Sequence, residues 1–175
     1  MNYTRCLLVA CLFTPGCLLN TGECTQSFVA GGLTVCVQRE EPVDPAVVEA
    51  IVATTELEVG RWWPKVTGLA AMLESKGVTL TIVDQVLAYR CSQLNGIPGL
   101  YTCADQFSGA NYGGAEIYVF SQGCVGWSAL GHELMHSIEA FYLDGLTTNH
   151  STEYLFGGSV EANINNASRA LCPVE

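Results

Sequence analysis

Three histidines occur in the chain, and all of them lie between positions 132 and 150. Two belong to the segment His132-Glu133-Leu134-Met135-His136. On a helix, residues four apart face the same side, one turn above each other. His132 and His136 can therefore offer two imidazoles to one zinc ion. Glu133, next to the first of them, can reach a metal-bound water without coordinating the metal. It can take that water's proton as general base and later deliver it to a leaving amine. Zinc lowers the pKa of such a water to about 7, so hydroxide is available at neutral pH. The chemistry that follows is hydrolysis of a carbonyl compound.

A helix must carry these residues and a sheet must support it. The apolar Leu134, Met135 and Ile138 supply the buried side of a helix predicted from about Trp127 to Tyr142. Glu116 to Ser121 precedes it as a strand, and a last helix is predicted over Gly158 to Ala170. Upstream, Ser27 to Gln38 has the Val and Thr content of a strand. Asp44-Pro45 supplies an N-cap and a first-turn proline for a helix that runs to about Val59. A second helical stretch covers about Lys65 to Lys76, ended by Gly77, and Val78 to Val83 is a β-branched strand. Tyr89 to Gly114, rich in Gly, Asn, Cys and Pro, reads as a long disulfide-tied loop beside a site.

At 175 residues the chain is long enough for one domain with a hydrophobic core, predicted over residues 24–175. A net charge of -10 with only seven Lys and Arg leaves no basic patch and argues against nucleic acid as a partner. Residues 1–17 read as a secretory signal: Arg5, the apolar run Cys6 to Phe13, then Thr14-Pro15-Gly16-Cys17. That run is too short to span a membrane. Gly16-Cys17 resembles the cleavage box of bacterial lipoproteins, where the cysteine is acylated and anchors the protein to the membrane, although Thr14 and Pro15 depart from the usual pattern. Leu8-Val9-Ala10-Cys11 matches the box better but leaves too short a leader, and an ordinary cleaved signal ending between Gly16 and Gly22 is the alternative. Nine cysteines also point outside a reducing cytosol. With Cys6, Cys11 and Cys17 set aside, Cys24, Cys36, Cys91, Cys103, Cys124 and Cys172 form an even set with fifteen connectivities. Cys24 with Cys36 or Cys172, and Cys91 with Cys103, are the pairings suggested. A cysteine-ligated zinc site is disfavoured because the chain has no C-x-x-C pair.

HELMH, together with the strand before it and the helix after it, resembles the HExxH zinc metallopeptidases, the zincins, over roughly residues 78 to 170. The likeness implies an α+β, zincin-like fold: a small mixed sheet, an active-site helix bearing HExxH, flanking helices and disulfide support. It implies that Glu116 to Phe120 is the sheet edge beside the cleft, where an extended peptide substrate could pair. It also implies a third zinc ligand. Glu139 and Tyr142 stand where the metzincin extension needs Gly and His, which excludes that branch in its usual form. His150 is the first candidate, as the remaining histidine after a loop-like stretch, in a spacing similar to that of small bacterial lipoprotein-type metallopeptidases. Glu161 is the second, in the place of a thermolysin-like ligand helix. The usual E-G-x-A-E arrangement would put Gly157 at the ligand and Glu161 behind it. Asp144 and Glu153 are outside candidates.

Plainer readings stand beside each of these. HExxH strings also occur by chance on helices with a polar face. Glu139 could orient a ligand ring or be a solvated charge; Tyr142 and Tyr154 could stabilise an oxyanion or simply pack and make one hydrogen bond. Trp62 and Trp63 read as core or rim aromatics rather than a carbohydrate platform. The function expected is a zinc (Zn2+) peptidase acting on peptides or proteins outside the cytoplasm, secreted or lipid-anchored in a cell envelope. A non-catalytic exported zinc-binding protein on the same scaffold and a metal-free, disulfide-stabilised envelope protein are the alternatives.

Overall fold

The first strand expected from the sequence is two. β1 (Gln26–Ala30) and β2 (Leu33–Val37) form an antiparallel hairpin in the computed structural model of the chain. The structure describes residues 23–83, 89–93, 101–106, 109–119, 123–143, 156 and 158–171. The expected leader, Cys17 and Cys172 lie outside them. The hairpin turns on Gly31 and Gly32, whose φ values of 57° and 78° are those of a two-residue turn matched to strand twist. A side chain on Gly32 would also run into the Ala70 carbonyl, so glycine here permits close packing as well as the turn.

α1 (Pro45–Gly60) begins as expected: the Asp44 carboxylate accepts from the Ala46 N–H at 2.9 Å, and proline opens the first turn. Its buried stripe is Val48, Ile51, Val52, Thr55 and Val59. α2 (Leu69–Lys76) starts later than its composition suggests, because Gly68 takes a left-handed conformation just before it. Both carboxylate oxygens of Glu56 on α1 accept from the Gly68 and Leu69 N–H groups, satisfying donors that a helix start leaves open. Gly77, again left-handed, ends the helix and leads to β3 (Thr79–Ile82).

The segment expected to be a loop holds three strands. β4 (Tyr89–Gln93) and β5 (Tyr101–Gln106) pair antiparallel as a separate two-stranded sheet. Their register sets Cys91 opposite Cys103. β6 (Gly109–Tyr112) turns through Gly113 and Gly114, with φ of 60° and 83°, into β7 (Glu116–Val119). Glycine and cysteine content hid these strands, whose backbone bonds come from partners rather than from local propensity. α3 (Gly123–Tyr142) and α4 (Ser159–Ala170) follow.

The main sheet runs β1-β2-β3-β7-β6, with β2, β3 and β7 parallel and the outer strands antiparallel to them. β7 is therefore not the sheet edge that was expected: β6, joined by the Gly113-Gly114 turn, covers it and takes the outer position. One sheet face alternates Val35, Val37, Leu80, Ile82, Ile117 and Val119, all buried. It shares a core with Ile51 and Val52 of α1 and with Leu130, Leu134 and Ile138 of α3. Burying each such Leu or Ile contributes about 1.5–3 kcal/mol. The disulfide Cys24–Cys36 ties the segment before β1 to β2. The described residues thus form an α+β arrangement of a five-stranded sheet, four helices and one disulfide. None of these helices is long and apolar enough to cross a membrane.

Candidate functional site

α3 puts its apolar stripe, Leu130, Leu134, Met135 and Ile138, into the core, which turns the stripe beside it toward α4. His132 and His136 occupy that second stripe with side chains 26% and 15% exposed, so solvent reaches both. Their ring centres are 5.2 Å apart with the planes at 78°. A zinc–nitrogen bond of about 2.1 Å puts a ring centre ~3.2 Å from the ion, so two rings sharing one ion near the tetrahedral angle have centres about 5 Å apart. The observed separation fits that requirement.

A carboxylate faces Nδ1 of each ring. Glu161 on α4 stands 2.7 Å from Nδ1 of His132, and Glu139, one turn along α3, stands 3.6 Å from Nδ1 of His136. A neutral imidazole whose Nδ1 proton points at a carboxylate directs its lone pair through Nε2. This is how carboxylates orient and strengthen histidine ligands. Glu161 thus stands behind the His132 ring, on its Nδ1 side. Glu139 is almost fully buried and faces His136 rather than solvent.

α4 can approach closely enough for this contact because position 131 has no side chain: a Cβ there would collide with Cγ2 of Ile164. Phe156, just before α4, packs on both imidazoles. Its ring centre lies 4.5 Å from that of His136, nearly parallel at 29°, and 5.1 Å from that of His132.

Glu133 points from α3 toward the sheet and is 5% exposed. Burial pushes its carboxyl up to about 8, well above the ordinary carboxylate range. It lies against Gly109 on β6, where an added Cβ would come 2.8 Å from its Oε1 and 2.9 Å from its Cγ. Two residues along β6, Asn111 donates through Nδ2 to the Glu133 carbonyl at 2.7 Å and to Ser137 Oγ at 2.9 Å. Ser137, fully buried, donates to the Gly114 carbonyl, and Asn111 Oδ1 accepts from the Gly114 N–H. The turn, the outer strand and the helix are thus tied together at Glu133. Such an arrangement sets two imidazoles where one dication could bridge them, and Glu133, next to His132 in sequence, supplies a carboxyl that can take up or release a proton.

Gly109, Asn111, Ser137 and Phe156 were not singled out from the sequence. A serine directly after HELMH, in the interior of a helix, was the one local hint. His150, Asp144, Glu153 and Tyr154 lie outside the described residues. Among the described residues, no group of three or more His, Cys, Asp or Glu side chains is arranged to hold a metal ion. Tyr142 donates its hydroxyl to the Thr67 carbonyl at 2.7 Å, which ties the end of α3 to the segment before α2. Trp63 packs against the core, while Trp62 is 58% exposed.

No protein-family model, curated protein or solved structure matches the chain. Its site stands on its own geometry.

Proposed function

We propose that the chain is an exported, zincin-like zinc peptidase that hydrolyses peptide bonds, with His132 and His136 as metal ligands, His150 as the third, and Glu133 as general base. The observation that carries this reading is the pair of neighbouring imidazoles, each with a carboxylate at Nδ1, one turn apart on the helix that also carries the buried Glu133. The chemistry of the donors suits a borderline cation such as zinc.

His132 and His136 would hold the ion through Nε2. Zinc, when bound, polarises a carbonyl oxygen and lowers the pKa of water. Glu161 keeps the His132 ring oriented through Nδ1, and the Glu139 carboxylate, 3.6 Å from Nδ1 of His136, acts on that ring through charge rather than a hydrogen bond. Phe156 packs on both rings and limits their rotation. With its carboxyl ionised, as the charge of a bound dication would favour, Glu133 would accept the proton of the attacking water and return it to the departing amine nitrogen. The Cys24–Cys36 disulfide supports an oxidising compartment, reached through the leader over residues 1–17 and with an anchor at Cys17.

Zinc stoichiometry and cleavage of a peptide library, measured for wild type and Glu133→Gln, test the reading. Both proteins should carry one zinc per chain, and the variant should lose cleavage by about 10²–10⁴-fold. Zinc with equal, background-level cleavage in both would make this a binding protein without catalysis. A chain that takes up no zinc would make the histidines structural.

A further inference from the structure

The depth at which Glu133 sits is decided from outside its own helix. Its carboxylate and Cγ occupy the space where residue 109 would carry a side chain, with a Cβ there falling 2.8 Å from Oε1, 2.9 Å from Cγ and 3.2 Å from Cδ. The colliding atoms belong to a flexible side chain rather than to backbone, so a larger residue at 109 would displace Glu133 before it displaced the fold. On the same strand, Asn111 grips the Glu133 carbonyl and Ser137, and Ser137 grips the Gly114 carbonyl. Those bonds set how far β6 stands from α3 at the level of the motif.

We infer that Gly109 and Asn111 are positioning residues for the general base: β6 leaves a side-chain-free slot that receives Glu133 and, through Asn111, holds that slot at a set distance from α3. The inference rests on the peptidase reading for its catalytic consequence and on packing alone for its structural one. A glutamate on a helix surface samples several rotamers. The slot and the clamp select one. Proton transfer needs that selection, because a group misplaced by about 1 Å can cost up to 10²-fold in rate.

Crystal structures and steady-state kinetics of the zinc-loaded full chain test this with wild type, Gly109→Ala, Glu133→Asp and the double variant. In Gly109→Ala the Glu133 carboxylate should leave its wild-type rotamer while zinc content and KM stay as in wild type and kcat falls by about tenfold or more. In the Glu133→Asp background, where the carboxylate is one methylene shorter, adding Gly109→Ala should cost less than about twofold, since the two substitutions act on one contact. A purely structural role for Gly109 predicts the same loss in both backgrounds, and that outcome overturns the inference. So does a Gly109→Ala structure in which Glu133 keeps its rotamer because the strand moves instead, and this readout holds even if the wild type cleaves nothing. If Gly109→Ala does not accumulate as folded protein, Asn111→Ala carries the test. It should keep zinc and KM, widen the spread of Glu133 rotamers and lower kcat; unchanged rotamers and kcat would overturn the inference. Failure of the peptidase reading shows separately, as wild type without zinc or without cleavage.

Discussion

His132 and His136 are chemically identical and differently supported. The carboxylate behind His132 comes from another helix and is within hydrogen-bond distance; the one behind His136 comes from the same helix and stands 3.6 Å away. The closer contact should contribute more to ring orientation. Glu161→Gln is therefore expected to weaken zinc binding by about 10–100-fold, read by competition with a chelator of known affinity, and Glu139→Gln to weaken it less. Glu133 makes a second prediction at this scale. Its carboxyl, pushed up to about 8 by burial, binds a proton more tightly in the folded chain than in the unfolded one, where the ordinary value of 4.5 applies. Between those values the unfolded chain has lost this proton and the folded chain retains it, so stability falls as pH rises. The unfolding midpoint of the metal-free protein should accordingly drop from about pH 4.5 to about pH 8 and then level off. Glu133→Gln should remove that component of the slope. A wild-type midpoint with the same pH dependence as the variant would show that Glu133 is solvated.

At the level of elements, the site is a junction of α3 with α4 on one side and β6 on the other. Gly131 governs the first contact, since a side chain there meets Ile164. Gly131→Val should force the helices apart, with an expected cost of about 1–3 kcal/mol in denaturant unfolding. It should also lower zinc affinity as Glu161→Gln does, because the separation draws Glu161 away from His132. Combining the two substitutions should weaken zinc binding little more than either alone, since both act on one contact. Asn111, Ser137 and Gly114 govern the second contact, with each buried polar group satisfied by the next.

For the whole molecule, the disulfide and the candidate site lie on different parts of the sheet. Cys24–Cys36 ties the segment before β1 to β2 across a sequence separation of 12, whereas α3 leans on β6 and β7. Removing it by Cys24→Ser with Cys36→Ser should lower stability by about 2–3 kcal/mol through the entropy of the unfolded chain and leave zinc stoichiometry unchanged. Thermal unfolding and metal analysis of the same preparation check both parts. Loss of zinc in that variant would mean that the hairpin and the site are coupled.

The residues themselves determined much of this. Helical periodicity and the Asp44-Pro45 start located α1, the run from Trp127 to Tyr142 lies within α3, and α4 lies within one residue of its predicted start. The four-residue spacing of His132 and His136 was enough to set their rings side by side, because an α-helix repeats every 3.6 residues. Cys24 with Cys36 was one of two pairings open to Cys24. Tertiary structure alone decided which strand is outermost, that 89–114 holds strands rather than one loop, that Glu161 stands behind His132, and that Gly109, Asn111 and Phe156 shape the site. The division has a physical cause. Helix starts and side-chain facing follow from local geometry and short-range bonds, which a few neighbouring residues specify. Strand order and inter-element contacts are set by which surfaces bury each other across long stretches of chain, as where Thr34 pairs with Thr79 and Thr79 with Glu116, and no local signal carries that information.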